Sequence, residues 1–138
     1  MTQPFIDTDE RLDSIPGTNF SLIQKIDGTA FAIDTLLLAN FVKFRPDMQT
    51  AADLGSGSGI LSFLVKYRNP ALAITGFELQ EEFVDLANRN LQMNRQFSDL
   101  CFEQMDVRDI PARILPESFD LVISNPPYFQ MGSGRLPT

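Results

Sequence analysis

The chain has 138 residues, 43% hydrophobic and 21% charged, which suits a single globular domain without a membrane-spanning segment. It has no histidine and one cysteine, Cys101, which excludes an internal disulfide, argues against a transition-metal site and favours the reducing cytoplasm. A net charge of −7 argues against a broad phosphate-binding surface, because such surfaces need clustered lysine and arginine.

The first 45 residues are predicted to form a turn-rich and helical segment. The stretches SIPGTN and DGT break regular structure within the first 30 residues. The stretch FAIDTLLLANFVKF then predicts a helix from Phe31 to Phe44, with Asp34 or Thr35 at its N-cap and Pro46 just beyond its end.

Strand and helix patterns alternate over residues 46–138. The strands are placed at residues 50–55, 72–78, 99–106 and 119–124, and the helical segments at residues 59–67, 80–95 and 111–115. This alternation predicts an α/β fold in which a parallel sheet carries helices on both faces. The third strand has the alternating pattern of a strand nearer an edge.

Each predicted strand is followed by a distinctive polar or glycine-rich element. These elements are DLGSGSG at residues 53–59, Glu78, Asp106 and NPPY at residues 125–128. Ligands of parallel sheets bind at the carboxyl ends of the strands, so we expect the four elements to line one crevice.

The glycine loop, residues 53–59, lies between a strand and a helix, where glycine lets the backbone approach a ligand closely. Its G-x-G-x-G spacing differs from the G-x-G-x-x-G of dinucleotide-binding proteins, and it lacks the lysine of a phosphate-binding loop. Asp53 brings a negative charge to the loop, which favours a cationic amine over a pyrophosphate. The alternative is a flexible Gly/Ser loop without a ligand.

Two carboxylates follow the next two strands. Glu78 is placed where a carboxylate of a nucleotide-binding fold accepts hydrogen bonds from the ribose hydroxyls. Asp106 is placed to accept a hydrogen bond from an adenine amino group, with the Val107 N–H nearby. The alternatives are that Glu78 is a solvated charge at a strand end and that Asp106 caps a turn.

The stretch SNPPYF ends the fourth predicted strand with two prolines, which fix the backbone where a turn needs only one. Because proline has no N–H and a fixed φ, Pro126 and Pro127 are expected to form a rigid shelf rather than a simple turn.

In this order, DLGSGSG, Glu78, MDV at residues 105–107 and NPPY resemble the motifs of class I S-adenosylmethionine-dependent methyltransferases that methylate planar amino groups. The resemblance implies a Rossmann-like fold, S-adenosyl-L-methionine as cofactor and S-adenosyl-L-homocysteine as product. It implies catalytic roles for Asn125, Pro126, Pro127 and Tyr128. In these roles the Asn125 side-chain carbonyl and the Pro126 backbone carbonyl accept both hydrogens of a planar amine, Pro127 makes the segment rigid, and Tyr128 stacks on the flat substrate. Such contacts orient the lone pair of the amine, an electrostatic and positioning effect that needs no general base. The residues that the resemblance places at the cofactor are Asp53, Gly55, Ser56, Gly57, Gly59, Glu78, Leu79, Asp106, Val107 and Asn125.

Two longer stretches, QKIDGTAFAIDTLLLANF and NPPYFQMGSGRL, resemble the bacterial tRNA(Val) adenine-N6 methyltransferases more narrowly. That family methylates the adenine beside the anticodon, at position 37, which implies a tRNA partner and a role in tRNA processing. Protein-glutamine N5 methyltransferases that act on release factors resemble the NPPY pattern as well. A non-catalytic cofactor-binding module is the third alternative.

Methyltransferases of this class have seven strands, whereas the sequence predicts four, so the resemblance implies that residues 46–138 form an incomplete cofactor-binding part. The apolar fourth strand would then have an uncovered edge, for which we expect self-association. Because the net charge is −7, we also expect weak tRNA binding and weak catalysis by the chain alone.

Overall fold

The computed structural model describes residues 5–26 and 33–126 of the chain. This part contains two β-sheets. The first sheet is an antiparallel hairpin of β1 (Glu10–Ser14) and β2 (Ser21–Lys25). The second sheet is parallel throughout, as predicted. Its strands are β3 (Thr50–Leu54), β4 (Ala73–Glu78), β5 (Leu100–Gln104) and β6 (Leu121–Ser124).

The helices alternate with the strands of the parallel sheet, except for α1, which precedes it. They are α1 (Ile33–Phe41), α2 (Ile60–Arg68), α3 (Glu81–Met93), a 3₁₀ turn (Val107–Asp109) and α4 (Ile110–Arg113). The elements predicted between residues 50 and 124 are confirmed, with their ends shifted by at most two residues. Within the two described ranges, no helix is long and apolar enough to cross a membrane.

The first helix, α1, is shorter than predicted. The first two residues of the predicted helix lie outside the described residues, and α1 ends at Phe41. Asp34 and Thr35 lie within its first turn, where the Asp34 carboxylate accepts a hydrogen bond from the Thr35 N–H at 2.9 Å. The prediction that one of them is the N-cap is therefore wrong, because the helix has already begun at Ile33.

The hairpin of β1 and β2 was not predicted, since the sequence indicated only turns in this part of the chain. Its strands lack the alternation that marks a half-buried strand, because Glu10 is buried in β1 while Leu12 is 46% exposed. Three successive residues of β2, at positions 22–24, are all buried. Glu10 is paired with Arg89 of α3 at 2.5 Å, and this hydrogen bond lowers the pKa of Glu10 to about 2.

Two buried asparagines, Asn90 in α3 and Asn94 at the C-cap of α3, bind the hairpin to the rest of the chain. The Asn90 carbonyl oxygen accepts a hydrogen bond from the Ile23 N–H at 2.7 Å, and its Nδ2 donates to the Ile23 carbonyl at 3.1 Å. The same Nδ2 donates to the Ser58 carbonyl in the glycine loop at 3.2 Å. Asn94 Nδ2 donates to the Ser21 carbonyl at 3.0 Å. Asn90 thus joins the hairpin and the glycine loop to one helix.

The parallel sheet has the strand order β5-β4-β3-β6. From β3 the chain moves outward to β4 and β5, and it then returns to add β6 on the other side of β3. The direction of winding therefore changes between β3 and β6, and parallel α/β sheets bind ligands at such switch points. Within the described residues, β5 and β6 form the two edges, and Val122 of β6 is 57% exposed.

Side chains that alternate along the strands divide between two cores. Ala51 and Ile74 belong to the larger core, together with residues of α1, α2, α3 and the hairpin. Ala52 and Phe77 point to the opposite face and pack with Ile110 of α4. The prediction that helices cover both faces of the sheet is confirmed.

Replacing Asn90 with alanine is expected to destabilise the chain by about 2–4 kcal/mol, because two carbonyls and one N–H lose their partner inside the protein. The matched control is Asn40→Ala on the exposed face of α1, where we expect a change within about 0.5 kcal/mol. Urea unfolding followed by circular dichroism measures both. Equal stabilities of the two variants would contradict the role assigned to Asn90.

Candidate functional site

The described residues of the four elements that follow the strands lie at the carboxyl edge of the parallel sheet. Along this edge the strand order places Asp106 first, then Glu78, then the glycine loop and finally Asn125. Because neighbouring strands lie roughly 4.8 Å apart, the row is about 14 Å wide. Pro127 and Tyr128, which were predicted to belong to the same site, lie outside the described residues.

One side of the glycine loop is open. Gly55, Gly57 and Gly59 adopt the left-handed backbone conformation, with φ of +72°, +54° and +94°. A Cβ atom at Gly55 or Gly57 would meet nothing within 4 Å, so a ligand can approach the backbone there. The loop is also fixed to the sheet, since the N–H groups of Gly55 and Ser56 donate to the Phe77 carbonyl at 2.8 and 3.1 Å. These bonds argue against the alternative of a flexible loop.

The other side of the loop packs against the ring of Phe102 in β5. A Cβ atom at Gly59 would lie 2.6 Å from this ring, and a Cβ atom at Gly76 of β4 would lie 2.5 Å from it. Both glycines therefore make room for the ring between the loop and the sheet. The buried Ser56 hydroxyl has no hydrogen-bond partner among the described residues.

The Glu78 carboxylate links the end of β4 to the loop. Its Oε1 accepts a hydrogen bond from the Gly57 N–H at 2.9 Å, and its Oε2 accepts one from the Gln80 N–H at 2.8 Å. Each oxygen keeps a second lone pair, so the carboxylate can still accept hydrogen bonds from a ligand. Glu78 is held beside the loop, which argues against the alternative of a freely solvated charge.

Asp53 lies in β3, at the start of the glycine loop, and is only 1% exposed. Its carboxylate accepts a hydrogen bond at 2.6 Å from the hydroxyl of Ser62, in the first turns of α2. Burial raises the pKa of Asp53 from 3.8 to about 6, against the effect of the Ser62 hydrogen bond, and the nearby charge of Glu78 adds to the rise. The loop thus has one buried carboxylate at its start, Asp53, and a second carboxylate, Glu78, beside it.

Asp106 caps the 3₁₀ turn that follows β5, which was the alternative interpretation of this residue. Its carboxylate accepts a hydrogen bond from the Arg108 N–H at 2.9 Å and is paired with the Arg108 guanidinium at 2.5 Å. This hydrogen bonding lowers the pKa of Asp106 to about 2. A ligand would share the carboxylate with Arg108. Two apolar side chains next to these carboxylates are exposed, Leu79 by 57% and Val107 by 46%.

Two hydrogen bonds fix the position of Asn125 after β6. The Ser124 hydroxyl donates to the Leu54 carbonyl at 2.9 Å, which joins the ends of β6 and β3. Asn125 Nδ2 donates to Thr35 Oγ1 in α1, also at 2.9 Å. The sequence analysis missed these roles of Thr35 and Ser124, because no local pattern marks a residue whose partner lies 90 or 70 positions away.

Residues 23–135 match the family model described as "Methyltransferase small domain", and this stretch is most of the chain. The chain belongs to the methyltransferase small domain family. The predicted recognition as a methyltransferase is confirmed, and S-adenosylmethionine is the cofactor that fits this family.

Two curated relatives are similar to the chain over part of their own length. A tRNA1(Val) (adenine(37)-N6)-methyltransferase of Vibrio vulnificus is 29% identical over 119 residues, which cover 86% of this chain and 48% of the relative. The protein of the same name from Proteus mirabilis is 34% identical over 83 residues, which cover 59% of this chain and 32% of the relative. The chain therefore spans about half the length, or less, of these relatives.

Solved structures of methyltransferases share the fold. The Pyrococcus abyssi tRNA (uracil-54, C5)-methyltransferase, solved with S-adenosyl-L-homocysteine, aligns with a TM-score of 0.62 and 19% identity, covering 87% of this chain and 29% of that one. A SAM-dependent methyltransferase from Agrobacterium tumefaciens aligns with a TM-score of 0.60 and 13% identity, covering 88% and 41%. The predicted Rossmann-like methyltransferase fold is confirmed.

Gly59→Ala is expected to destabilise the chain by about 2–4 kcal/mol, because the left-handed conformation is strained for alanine and its methyl would meet the Phe102 ring. Gly57→Ala has the same kind of backbone strain but open space around it, so we expect about 1–2 kcal/mol. Urea unfolding compares the two. Equal stabilities of the two variants would show that the packing of the Phe102 ring does not require a glycine at position 59.

The raised pKa of Asp53 predicts that this side chain stabilises the fold less as the pH rises through the acidic range. Its folded-state pKa is above its ordinary value, so its contribution to the free energy of unfolding falls as the pH rises from about 4 to about 6, by at most about 3 kcal/mol. Asp53→Asn removes this titration, and the variant should lose less stability than wild type between these two pH values. Asp85→Asn, on the exposed face of α3, is the control and should follow wild type. Identical pH profiles for wild type and Asp53→Asn would contradict the assignment.

Proposed function

We propose that this chain is the cofactor-binding part of an S-adenosylmethionine-dependent enzyme that methylates an exocyclic amino group, adenine N6 beside the anticodon of a tRNA. One observation carries the proposal. The glycine loop and Asn125 follow β3 and β6, the two strands that flank the switch point of the sheet. The loop suits a nucleoside cofactor and Asn125 suits a planar amine, so both reactants would share one crevice.

The residues of the carboxyl edge fit S-adenosylmethionine in shape. The open backbone at Gly55 and Gly57 leaves room for the amino-acid tail of the cofactor. The Glu78 carboxylate can accept the ribose hydroxyls with its remaining lone pairs. The exposed side chains of Leu79 and Val107 offer apolar contacts to the adenine ring.

The charges near the loop fit the same cofactor. S-adenosylmethionine carries a sulfonium and an ammonium group and no phosphate. Asp53 and Glu78 favour positive charge near the loop, and each disfavours a pyrophosphate there. The adenine contact proposed for Asp106 would add to the Arg108 pair that already occupies this carboxylate.

When bound, S-adenosylmethionine supplies a methyl group activated by its positively charged sulfur. The chain's own residues act on the amine, since Asn125 Oδ1 and the carbonyl of the exposed Pro126 can accept its two hydrogens. These bonds orient the lone pair and strengthen as the nitrogen becomes pyramidal. The methylated ammonium is acidic and releases its proton afterwards, so a chain without histidine can do this chemistry. Stacking of the base by Tyr128 stays a prediction.

The choice of adenine N6 rests on the curated relatives, whose names specify adenine 37 of tRNA1(Val). A glutamine side-chain amide is also planar, so acceptors at Asn125 and Pro126 alone suit either substrate. A net charge of −7 gives phosphates little to attract them, and we expect the chain alone to bind tRNA weakly.

Methyl transfer by the intact enzyme, from radiolabelled S-adenosylmethionine to an unmodified tRNA(Val) transcript, tests the proposed substrate. We expect label at adenine 37 and none in a transcript with guanine at that position or in a release factor. Asn125→Ala should lower the single-turnover rate by roughly 100-fold or more, while cofactor affinity stays within about threefold of wild type, because the lost bonds belong to the transition state.

Two other results would change the assignment. Label in a glutamine of the release factor would replace adenine with an amide as the substrate. Cofactor binding without transfer to either substrate would make the chain a cofactor-binding module. An Asn125→Ala protein with normal turnover and weak cofactor binding would move Asn125 from the substrate to the cofactor.

A further inference from the structure

We propose that Thr35 is a positioning residue that holds the Asn125 amide with its carbonyl oxygen presented to the substrate amine. The inference rests on the proposed function, in which Asn125 Oδ1 accepts a hydrogen from that amine. Thr35 lies in the first turn of α1, 90 positions before Asn125. It thereby gives the N-terminal part of the chain a direct role in the chemistry at the end of β6.

The contact is a single hydrogen bond between the buried Thr35 and Asn125. Thr35 is 5% exposed, and its Oγ1 accepts from Asn125 Nδ2 at 2.9 Å. The residue before Asn125 is fixed as well, because the Ser124 hydroxyl donates to the Leu54 carbonyl at 2.9 Å. One end of the amide is thus occupied by Thr35, and among the described residues no donor contacts Oδ1 at the other end.

The orientation of the amide matters because its two ends have opposite hydrogen-bonding character. Oδ1 is an acceptor and Nδ2 is a donor, whereas a substrate amine approaches with two donor hydrogens. A reversed amide would place donors against donors and leave the amine without its acceptor. A side chain that occupies Nδ2 leaves Oδ1 as the end that meets the substrate.

Thr35→Val tests the proposal with little change of shape, because valine replaces the hydroxyl with a methyl group. Thr35→Ser keeps the hydroxyl and is the rescue variant. Thr75→Val, on β4 and two strands from β6, is the matched threonine control. Thr35→Ala serves in place of Thr35→Val if circular dichroism shows that the valine variant does not fold.

The first measurement needs no activity. In ¹⁵N-labelled protein, the Asn125 side-chain signals are identified by their loss in Asn125→Ala, and exchange of the Nδ2 hydrogens with water is measured. We expect exchange to be roughly fivefold faster in Thr35→Val and to be unchanged in Thr35→Ser and Thr75→Val. Equal exchange in Thr35→Val and Thr75→Val would overturn the proposal.

The second measurement separates positioning from a merely structural role. With the amine substrate identified by the transfer assay, Thr35→Val should lower the single-turnover rate roughly fivefold and leave cofactor affinity within about twofold. Thr35→Ser should restore the rate. A Thr35→Val rate equal to wild type, or a serine variant as slow as valine, would overturn the proposal. If wild type methylates none of the substrates, the proposed function fails, and the exchange measurement still decides whether Thr35 orients Asn125.

Discussion

The hydrogen bonds of one buried side chain, Asn90, join three parts of the structure that are distant in sequence: the N-terminal hairpin, α3 and the glycine loop. The amide of this α3 residue bonds both backbone groups of Ile23 in the hairpin and the Ser58 carbonyl in the glycine loop. Leaving these three groups without partners inside the protein would cost about 2–4 kcal/mol in total, so the hairpin, the helix and the loop stabilise one another. The hairpin and the loop are thus held by the same side chain, although the two are distant in sequence.

The candidate site follows from this fixed loop and from the winding of the sheet. The Phe102 ring fills the space between the loop and the sheet, which leaves the opposite side of Gly55 and Gly57 open. Because winding changes direction between β3 and β6, the loop and Asn125 come to adjacent strand ends. The proposed cofactor site and the proposed amine site are thus neighbours by topology.

The parallel sheet and the row of elements at its edge were predictable, because strand and helix patterns alternate and parallel strands bring their carboxyl ends to one edge. The hairpin was not, since its buried Glu10 depends on Arg89 of α3, and no local pattern reveals so distant a partner. The same holds for the contact of Thr35 with Asn125. Asp106 shows the opposite case, because its partner Arg108 is only two residues away and the capping role was foreseen from the sequence.

The most direct test of the account is a calorimetric titration of S-adenosyl-L-homocysteine into wild type, Glu78→Ala and Glu82→Ala. The account predicts that wild type binds and that Glu78→Ala binds roughly 10- to 100-fold more weakly, because the ribose loses its acceptor and the Gly57 N–H loses its partner. Glu82, exposed on α3, lies outside the site, so its variant should bind like wild type. Unchanged affinity in Glu78→Ala, or no binding by wild type, would contradict a cofactor site at the carboxyl edge of this sheet.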